Sequence, residues 1–244
     1  MTDYGIKLVG EIDWDTKLYR YMSLAQFISF VEGKKINLTN IGKWPDKWEA
    51  ALNKLPIVAE NGEVNYPLYD LYQEMYGQCW SLNSESDAMW RIYSPKKQGI
   101  LIGTTTEKFR KIDKLSYGVL GKVKYYSDIK EVLKYLGDNH GLSGGLVKRT
   151  AFEYENEVRL LTLRKFINDS DKEGPYINIP LEPTDFIEDI IIDPRASQWL
   201  VEAITSYCKR VGFKFIPKQS ELYCANVFEH TKVAVKLSDT HIIN

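Results

Sequence analysis

Residues 148–163, KRTAFEYENEVRLLTL, constrain the fold more than any other stretch of the chain. A charged approach leads into 158–163, where Val, Leu and Thr with one arginine are typical of a largely buried strand. Glu153, Glu155 and Glu157 stand at alternate positions where the chain enters this strand. Alternate side chains of an extended segment share a face, so we expect all three carboxylates to point the same way.

This acid cluster has two interpretations that the stretch alone leaves open. Carboxylates this close repel and raise one another's pKa unless a cation compensates. Arg159 continues the same face, and Lys148 and Arg149 precede it, so cations are available locally. The cluster is then either a solvated strand edge with a Glu/Arg ladder or a carboxylate site on a rigid strand. In the second interpretation Glu157 is its deepest member.

Composition indicates a globular chain and limits the cellular compartments in which we expect it. The 244 residues are 44% hydrophobic, and the net charge of -1 does not demand a nucleic-acid partner. No apolar run reaches the roughly 20 residues that cross a bilayer, and the first residues do not read as a signal peptide. The three cysteines are far apart, without metal-ligand spacing. We therefore expect a cytoplasmic protein with no metal and no membrane contact; oligomeric state stays open.

The order of elements predicts one α+β domain. Residues 1–17 read as an irregular leader, followed by a strand at 18–22, a helix capped by Ser23 and a strand at 35–39. Further strands and helices alternate through 18–244, among them a tyrosine-rich helix at 66–77 and strands at 100–104 and 213–216. This alternation predicts a central mixed, largely antiparallel sheet flanked by helices. The glycine-rich segment 137–145 is expected to be mobile, with a role as a lid or in acceptor recognition. The apolar stripe of the first helix is predicted to comprise Leu24, Phe27, Ile28 and Val31.

Several motifs, in this order, resemble the bacterial DUF2971 family. They are LYRYMSLAQFISFVEGKKINLT, PDKWEA, CWSLNSESDAMWRIYSPKKQGILIGT, VKYYS, FEYENEVRLL and IIIDPRAS. The resemblance extends over roughly residues 18 to 216. That family is defined as one of unknown function, so this resemblance implies no activity.

A second resemblance concerns the layout and does imply chemistry. The chain has a strand with an arginine, then a helix, a second strand and a late strand that begins with Glu-x-Glu. This layout is similar to that of ADP-ribosyltransferase-like proteins, including their DNA-modifying toxin branch. The resemblance implies that Arg20 holds NAD and that Glu157 hydrogen-bonds the nicotinamide ribose. Glu155 would orient an acceptor. Ser81 is a loose substitute for the Ser-Thr-Ser motif of the middle strand.

The physical chemistry of that assignment is coherent. Breaking the nicotinamide–ribose bond develops positive charge on the sugar, which a fixed carboxylate stabilises. A guanidinium is a planar, permanently charged fork that suits a pyrophosphate. Tyr21, Trp90 or Tyr93 would stack on the nicotinamide ring. The simpler structural alternatives are an ion pair for Arg20 and a core position for Trp90 and Tyr93.

The leading hypothesis is therefore an NAD-consuming enzyme, an ADP-ribosyltransferase or NAD glycohydrolase that would act as a toxin or phage-defence effector. NAD would be its substrate, and the acceptor a nucleic acid, a protein or water. Arg20 and Glu157 are expected on adjacent central strands, facing one cleft. Two alternatives remain: a nuclease-like effector with Asp46, Glu49 and the glutamate cluster on Mg²⁺, and a non-enzymatic recognition module built on the aromatic segment 44–93.

Overall fold

The computed structural model describes residues 5–46, 56–58, 61–65, 73–138, 141–168 and 174–224. Within these residues the chain forms a large mixed sheet with helices packed against it, which confirms the predicted α+β class. No helix in these segments has the length and apolar character needed to cross a membrane. Residues 66–72 of the predicted helix at 66–77 lie outside the described segments, and so does the end of the chain from residue 225. For residues 75–77 the helix prediction is wrong, because they belong to the strand Met75–Ser81.

The elements follow one another along the chain as strands β1 to β14 and helices α1 to α6. The strands are β1 Gly5–Val9, β2 Lys17–Ser23, β3 Lys35–Asn40, β4 Ile57–Val58, β5 Val64–Asn65, β6 Met75–Ser81, β7 Gly99–Thr105, β8 Tyr117–Lys122, β9 Lys124–Tyr126, β10 Val147–Arg149, β11 Glu157–Leu163, β12 Tyr176–Pro180, β13 Asp189–Ile192 and β14 Lys218–Gln219. The α-helices are α1 Leu24–Gly33, α2 Asp87–Tyr93, α3 Thr106–Phe109, α4 Ile129–Asp138, α5 Pro183–Phe186 and α6 Gln198–Val211.

Ten of these strands form one sheet in the order β1-β8-β11-β6-β2-β7-β13-β14, with β3 joined to β6 and β12 to β3. Only the pairs β1–β8 and β13–β14 of this sheet are parallel, so it is mixed and largely antiparallel, as predicted. The irregular leader predicted for 1–17 is wrong in part. Gly5–Val9 is an edge strand, because it pairs in parallel with residues Tyr117–Gly121 of β8.

Helix α1 begins where the sequence predicts, because Ser23 and Gln26 form a capping box. Its buried face differs from the predicted stripe. Phe27, Phe30 and Val31 are buried, whereas Ile28 is 39% exposed. The apolar face is centred on Phe27, so Phe30 lies within it and packs edge-on against Phe186, while Ile28 lies at its margin.

Segment Gly141–Gly145 forms a 3-10 helix packed on β11 and does not have the open arrangement expected of a lid. Leu142, Gly144 and Gly145 are buried. A Cβ atom at Gly145 would lie 2.7 Å from Leu161 Cδ1, so the glycine there permits close approach to the core strand. This glycine thus serves packing against the core, and the mobility expected of 137–145 stays a prediction; residues 139–140 lie outside the described segments.

The central strand β6 has different neighbours at its two ends, and a cleft opens between them. β2 pairs with β6 through Tyr19 and Ser81, whereas β3 pairs with it through Thr39–Gly77 and Asn40–Tyr76. Between these contacts the described sheet places no strand beside residues 78–80 on this side. The divergence of β2 from β3 thus exposes one edge of β6 to a cavity, while β11 pairs with its other edge.

Candidate functional site

The cleft has a volume of about 600 Å³, within the range of small-molecule sites. Its walls come from both diverging strands, from β6, from α2 and from the segment before β11. The residues that line it include Tyr19, Arg20, Tyr21, Thr39, Trp44, Asp46, Cys79, Ser81, Tyr93, Lys148, Phe152, Tyr154, Glu155, Glu157 and Arg159.

Two of the three predicted carboxylates meet in this cleft. Thr150–Glu155 is a 3-10 helix and not the extended segment that was predicted. Asn156 follows in the left-handed conformation with φ 44°, and β11 begins at Glu157. This turn buries Glu155 and Glu157, whereas Glu153 remains exposed to solvent. The prediction that all three share one face is therefore wrong, because the 3-10 helix rotates Glu153 away.

A lysine bridges the two buried acids. Lys148 Nζ lies 2.6 Å from Glu155 Oε2 and 3.3 Å from Glu157 Oε1. The lysine side chain is 8% exposed, and the two glutamates are similarly buried. Charged groups at this depth are stabilised only when paired and hydrogen-bonded, and here each acid has the same cation as partner.

Glu157 has a second cation, Arg159, two residues further along β11. Glu157 Oε2 accepts from Arg159 Nε at 2.9 Å and from Nη2 at 2.7 Å. Arg159 Nη1 donates to the carbonyl oxygen of Gly145 at 2.7 Å, and the guanidinium lies 4.6 Å from the ring centroid of Trp44. Arg159 is 1% exposed, so its contacts replace water almost completely.

These contacts separate the pKa values of the two acids. Burial, together with the nearby charge of Glu157, raises the pKa of Glu155 from its usual 4.5 to about 7. Burial acts in the same direction on Glu157, but the charges of Arg159 and Lys148 outweigh it and lower the pKa of that carboxyl to about 2. Glu157 is thus held as a carboxylate, and Glu155 is the acid of the pair that binds a proton more readily.

Hydrogen bonds from β6 and β9 fix the chain around the acid pair. The Ser81 hydroxyl donates to the carbonyl oxygen of Glu155 at 2.7 Å and accepts from the backbone N–H of Asn83. The backbone N–H of Glu157 donates to the Tyr125 hydroxyl at 2.8 Å. Ser81 lines the cleft, as its predicted cofactor role requires. Its hydroxyl, however, is hydrogen-bonded to the backbone of the turn that carries Glu155.

Arg20 lies across β6 from the acids. β2 and β11 both pair with β6 at Ser81, so the two strands flank β6 and are not adjacent, contrary to prediction. Arg20 and Glu157 nevertheless line the same cleft. Arg20 Nη1 donates to the carbonyl oxygen of Cys79 on the open edge of β6, and its buried Nε has no hydrogen-bond partner. Burial lowers the pKa of Arg20 below its ordinary value, and a guanidinium remains charged at neutral pH.

The predicted aromatic residues have distinct positions. Tyr93 is 42% exposed, lines the cleft and stacks on Tyr21 at 6.1 Å between ring centroids. Trp90 is fully buried and contacts Tyr21 edge-on at 4.9 Å, so it supports the cleft wall through Tyr21. Burial raises the pKa of Tyr21 to about 12, and its hydroxyl accepts from the backbone N–H of Ser86. Of the three predicted aromatic residues, Tyr21 and Tyr93 therefore line the cleft, and Trp90 does not.

Sequence reasoning did not identify several residues that hold the site together. Trp44 stacks on Arg159, and Asn156 Nδ2 donates to Asn83 Oδ1. The one available signal is Asn156 itself, because asparagine between two acids at a strand entry tolerates the left-handed conformation. The roles of Trp44 and Asn83 depend on long-range contacts that the local sequence does not encode.

The structure also describes some of the residues on which the two alternative hypotheses depend. Asp46 lies at the cleft but pairs with Arg149 Nη2 at 3.3 Å, and Glu49 is outside the described segments. Across the residues described, no three or more His, Cys, Asp or Glu side chains form a group that could hold a metal ion. For the recognition module, three aromatic residues of the segment 44–93 are buried and present no surface to a partner, namely Tyr76, Trp80 and Trp90.

Fold and site together define a mixed α+β protein with a buried Lys–Glu–Glu–Arg cluster in an open cleft. A family model described as "Protein of unknown function (DUF2971)" matches residues 89–160, which confirms the DUF2971 resemblance over that segment. No curated protein matches the sequence significantly.

Three similar solved structures are of DarT from Thermus sp. 2.9. The complex with ADP-ribosylated ssDNA has a TM-score of 0.41 at 11% identity and covers 87% of this chain and 95% of that one. The NAD+ complex has a TM-score of 0.40 at 11% identity, covering 86% and 96%. The carba-NAD+ complex has a TM-score of 0.39 at 12% identity, covering 85% and 96%. Identity and TM-score are low in all three.

Proposed function

We propose that the cleft binds NAD and that the protein cleaves its nicotinamide–ribose bond, as an ADP-ribosyltransferase or an NAD glycohydrolase. The observation that carries this proposal is the joint placement of Arg20 and Glu157 in one cleft, on strands that flank β6. A cation for the pyrophosphate and an ionised carboxylate for the ribose are the two charges that this chemistry requires.

Arg20 is the group proposed to bind the pyrophosphate. Its Nη1 is anchored on β6, whereas its buried Nε lacks a partner. A buried donor without an acceptor is costly, and a phosphate oxygen would satisfy it with a charge-assisted hydrogen bond. The Tyr21–Tyr93 pair provides an aromatic surface for the nicotinamide ring.

Glu157 is proposed to stabilise the sugar. When the bond between C1′ and the nicotinamide nitrogen breaks, the electron pair leaves with nicotinamide and the ribose acquires oxocarbenium character. Arg159 and Lys148 keep Glu157 ionised throughout, so its negative charge is present before the reaction begins. Preorganised charge of this kind costs no reorganisation in the transition state.

Glu155 is proposed to orient the acceptor, which is a nucleic acid, a protein or water. With a pKa of about 7 it is suited to receive the acceptor's proton at neutral pH. Such an enzyme would consume NAD inside the cell and act as a toxin or a phage-defence effector. That biological role is part of the proposal and is tested by whether expression depletes cellular NAD.

The direct experiment is incubation of purified protein with NAD, alone and with single-stranded DNA, RNA or bacterial lysate, followed by chromatography. Free nicotinamide together with free ADP-ribose indicates a glycohydrolase, and nicotinamide with a labelled macromolecule indicates a transferase. A parallel reaction with a chelator tests the nuclease alternative, which requires a divalent metal. The proposal is wrong if no condition releases nicotinamide while the protein degrades nucleic acid in a chelator-sensitive way, or if it shows neither activity.

A further inference from the structure

Lys148 contacts both acids of the cleft, and the proposed function uses only its contact with Glu157. It lies on β10, which pairs with β9 and not with the large sheet. Its ammonium group nevertheless reaches both acids, at 2.6 Å from Glu155 and 3.3 Å from Glu157. The Phe152 ring lies 4.8 Å from Lys148 Nζ, so an aromatic face also confines the cation.

We propose that Lys148 is a positioning residue that establishes a division of roles between the two acids. It helps to hold Glu157 as a permanent carboxylate, and it makes Glu155 the acid that gains and loses a proton. The structural part of this proposal concerns the protein without ligand. Its role in transfer rests on the proposed NAD chemistry.

The geometry supports this division because the cations are distributed unequally. Lys148 contacts both acids, whereas Arg159 contacts Glu157 through two nitrogens. With both acids ionised, two buried negative charges would share these two cations. Since Glu157 has the larger share of positive charge, the proton that relieves the repulsion binds to Glu155.

The other titratable groups around Glu155 do not compete for this proton. Tyr93 on α2, Tyr125 on β9 and Tyr154 on the 3-10 helix are close enough to interact electrostatically with it. Burial raises the pKa of each of these hydroxyls, so all three stay neutral where Glu155 titrates. The remaining charged neighbours of Glu155 in this cluster are Lys148 and Glu157.

In the transfer step Glu155 would act in its ionised form. The bond from C1′ to nicotinamide breaks with its electron pair on nicotinamide, and an acceptor oxygen or nitrogen forms the new bond to C1′. The acceptor's proton passes to the Glu155 carboxylate and later to solvent, so charge and atoms balance. Lys148 contacts neither substrate in this scheme. It sets the pH range in which Glu155 is ionised and can accept the proton.

The test measures the acid pair without any substrate. In protein labelled with ¹³C at the glutamate δ-carbon, one carboxyl signal should titrate with a midpoint of about 7 and be absent from Glu155→Gln. Loss of a cation in contact with a carboxylate raises its pKa by about 1 to 3 units, so the midpoint should move upward by that amount in Lys148→Met. Lys148→Arg should keep the midpoint near that of the wild type.

Lys124→Met is the matched control. Lys124 lies opposite Val147 on the strand paired with β10, but its side chain is exposed and contacts the Tyr135 ring. This variant should leave the midpoint unchanged. If Lys148→Met does not fold, the ¹⁵Nζ chemical shift of Lys148 is followed in the wild-type protein instead. It should change at the same pH at which Glu155 titrates.

Two results would overturn the proposal. One is a wild-type protein in which no glutamate titrates above about pH 6. The other is a Glu155 midpoint that stays unchanged in folded Lys148→Met, or a Lys148 ¹⁵N signal that does not follow Glu155. A protein that shows the expected titration but never cleaves NAD would retain the charge division and reject the proposed function, so the two failures are distinguishable.

Discussion

Glu157 and Arg159 form a buried ion pair between alternate residues of β11, in which one carboxylate oxygen accepts from two guanidinium nitrogens at 2.9 and 2.7 Å. Because both side chains point to the same face of the strand, the arginine lies behind the acid, where it also contacts Gly145 and Trp44. The pair thus fixes the charge and the orientation of Glu157 at the cleft.

Removal of the arginine should be strongly destabilising. Arg159→Met keeps an unbranched apolar chain but leaves Glu157 without its main partner, and breaking a buried pair costs about 3–5 kcal/mol. The free energy of unfolding, measured by denaturant titration at pH 7, should fall by that amount. Lys17→Met, which removes an exposed pair with Asp189 at 3.8 Å, is the control and should cost less than about 1 kcal/mol. Equal losses in both variants would contradict a special role for Arg159.

Stability should depend on pH through Glu155. Its pKa is raised from 4.5 to about 7 in the folded protein, so between these values the folded state binds more protons than the unfolded state. The free energy of unfolding contributed by this group therefore falls as pH rises through that window, by at most about 1.4 kcal/mol per pH unit. The difference in melting temperature between wild type and Glu155→Gln should decrease from pH 5 to pH 7 and then level off. A difference that grows with pH would show that the carboxyl is stabilised in its charged form.

Arg20 should govern ligand affinity more than stability. Lysine keeps the charge but loses the planar fork, and one charge-assisted hydrogen bond contributes about 1.5–3 kcal/mol. Arg20→Lys should weaken NAD binding by about 10- to 100-fold in calorimetry, with both proteins carrying Glu157→Gln to prevent turnover. Arg110→Lys, at an arginine outside the cleft, should bind as its parent does. Unchanged affinity in the Arg20 variant would mean that its unpaired Nε does not face the ligand.

Local signals were sufficient to predict part of this fold. The Ser23 cap, the apolar run of β7 and the strand predicted at 158–163 follow from short-range patterns, and the structure has all three. The edge strand Gly5–Val9 was missed because its stability comes from pairing with β8, more than a hundred residues away. The predicted strand at 213–216 is absent; the pairing with β13 is made by Lys218–Gln219.

The candidate site was predictable in its residues but not in its geometry. Glu155, Glu157 and Arg20 line one cleft, as the sequence suggested. Strand periodicity placed Glu153 with them, but the 3-10 helix at 150–155 separates it, and periodicity does not reveal such a turn. The insertion of β6 between β2 and β11 is a matter of sheet order, which long-range pairing determines.

The central claim is that Glu157 carries the chemistry, and nicotinamide release from NAD by matched glutamine variants tests it most directly. Glu153→Gln changes an exposed acid of the same segment and should cleave NAD at the wild-type rate. Glu155→Gln should retain slow hydrolysis and lose transfer to an acceptor. Glu157→Gln should lose about 10²- to 10³-fold in rate while thermal melts show a folded protein. A folded Glu157→Gln variant that releases nicotinamide as fast as the wild type would contradict the account.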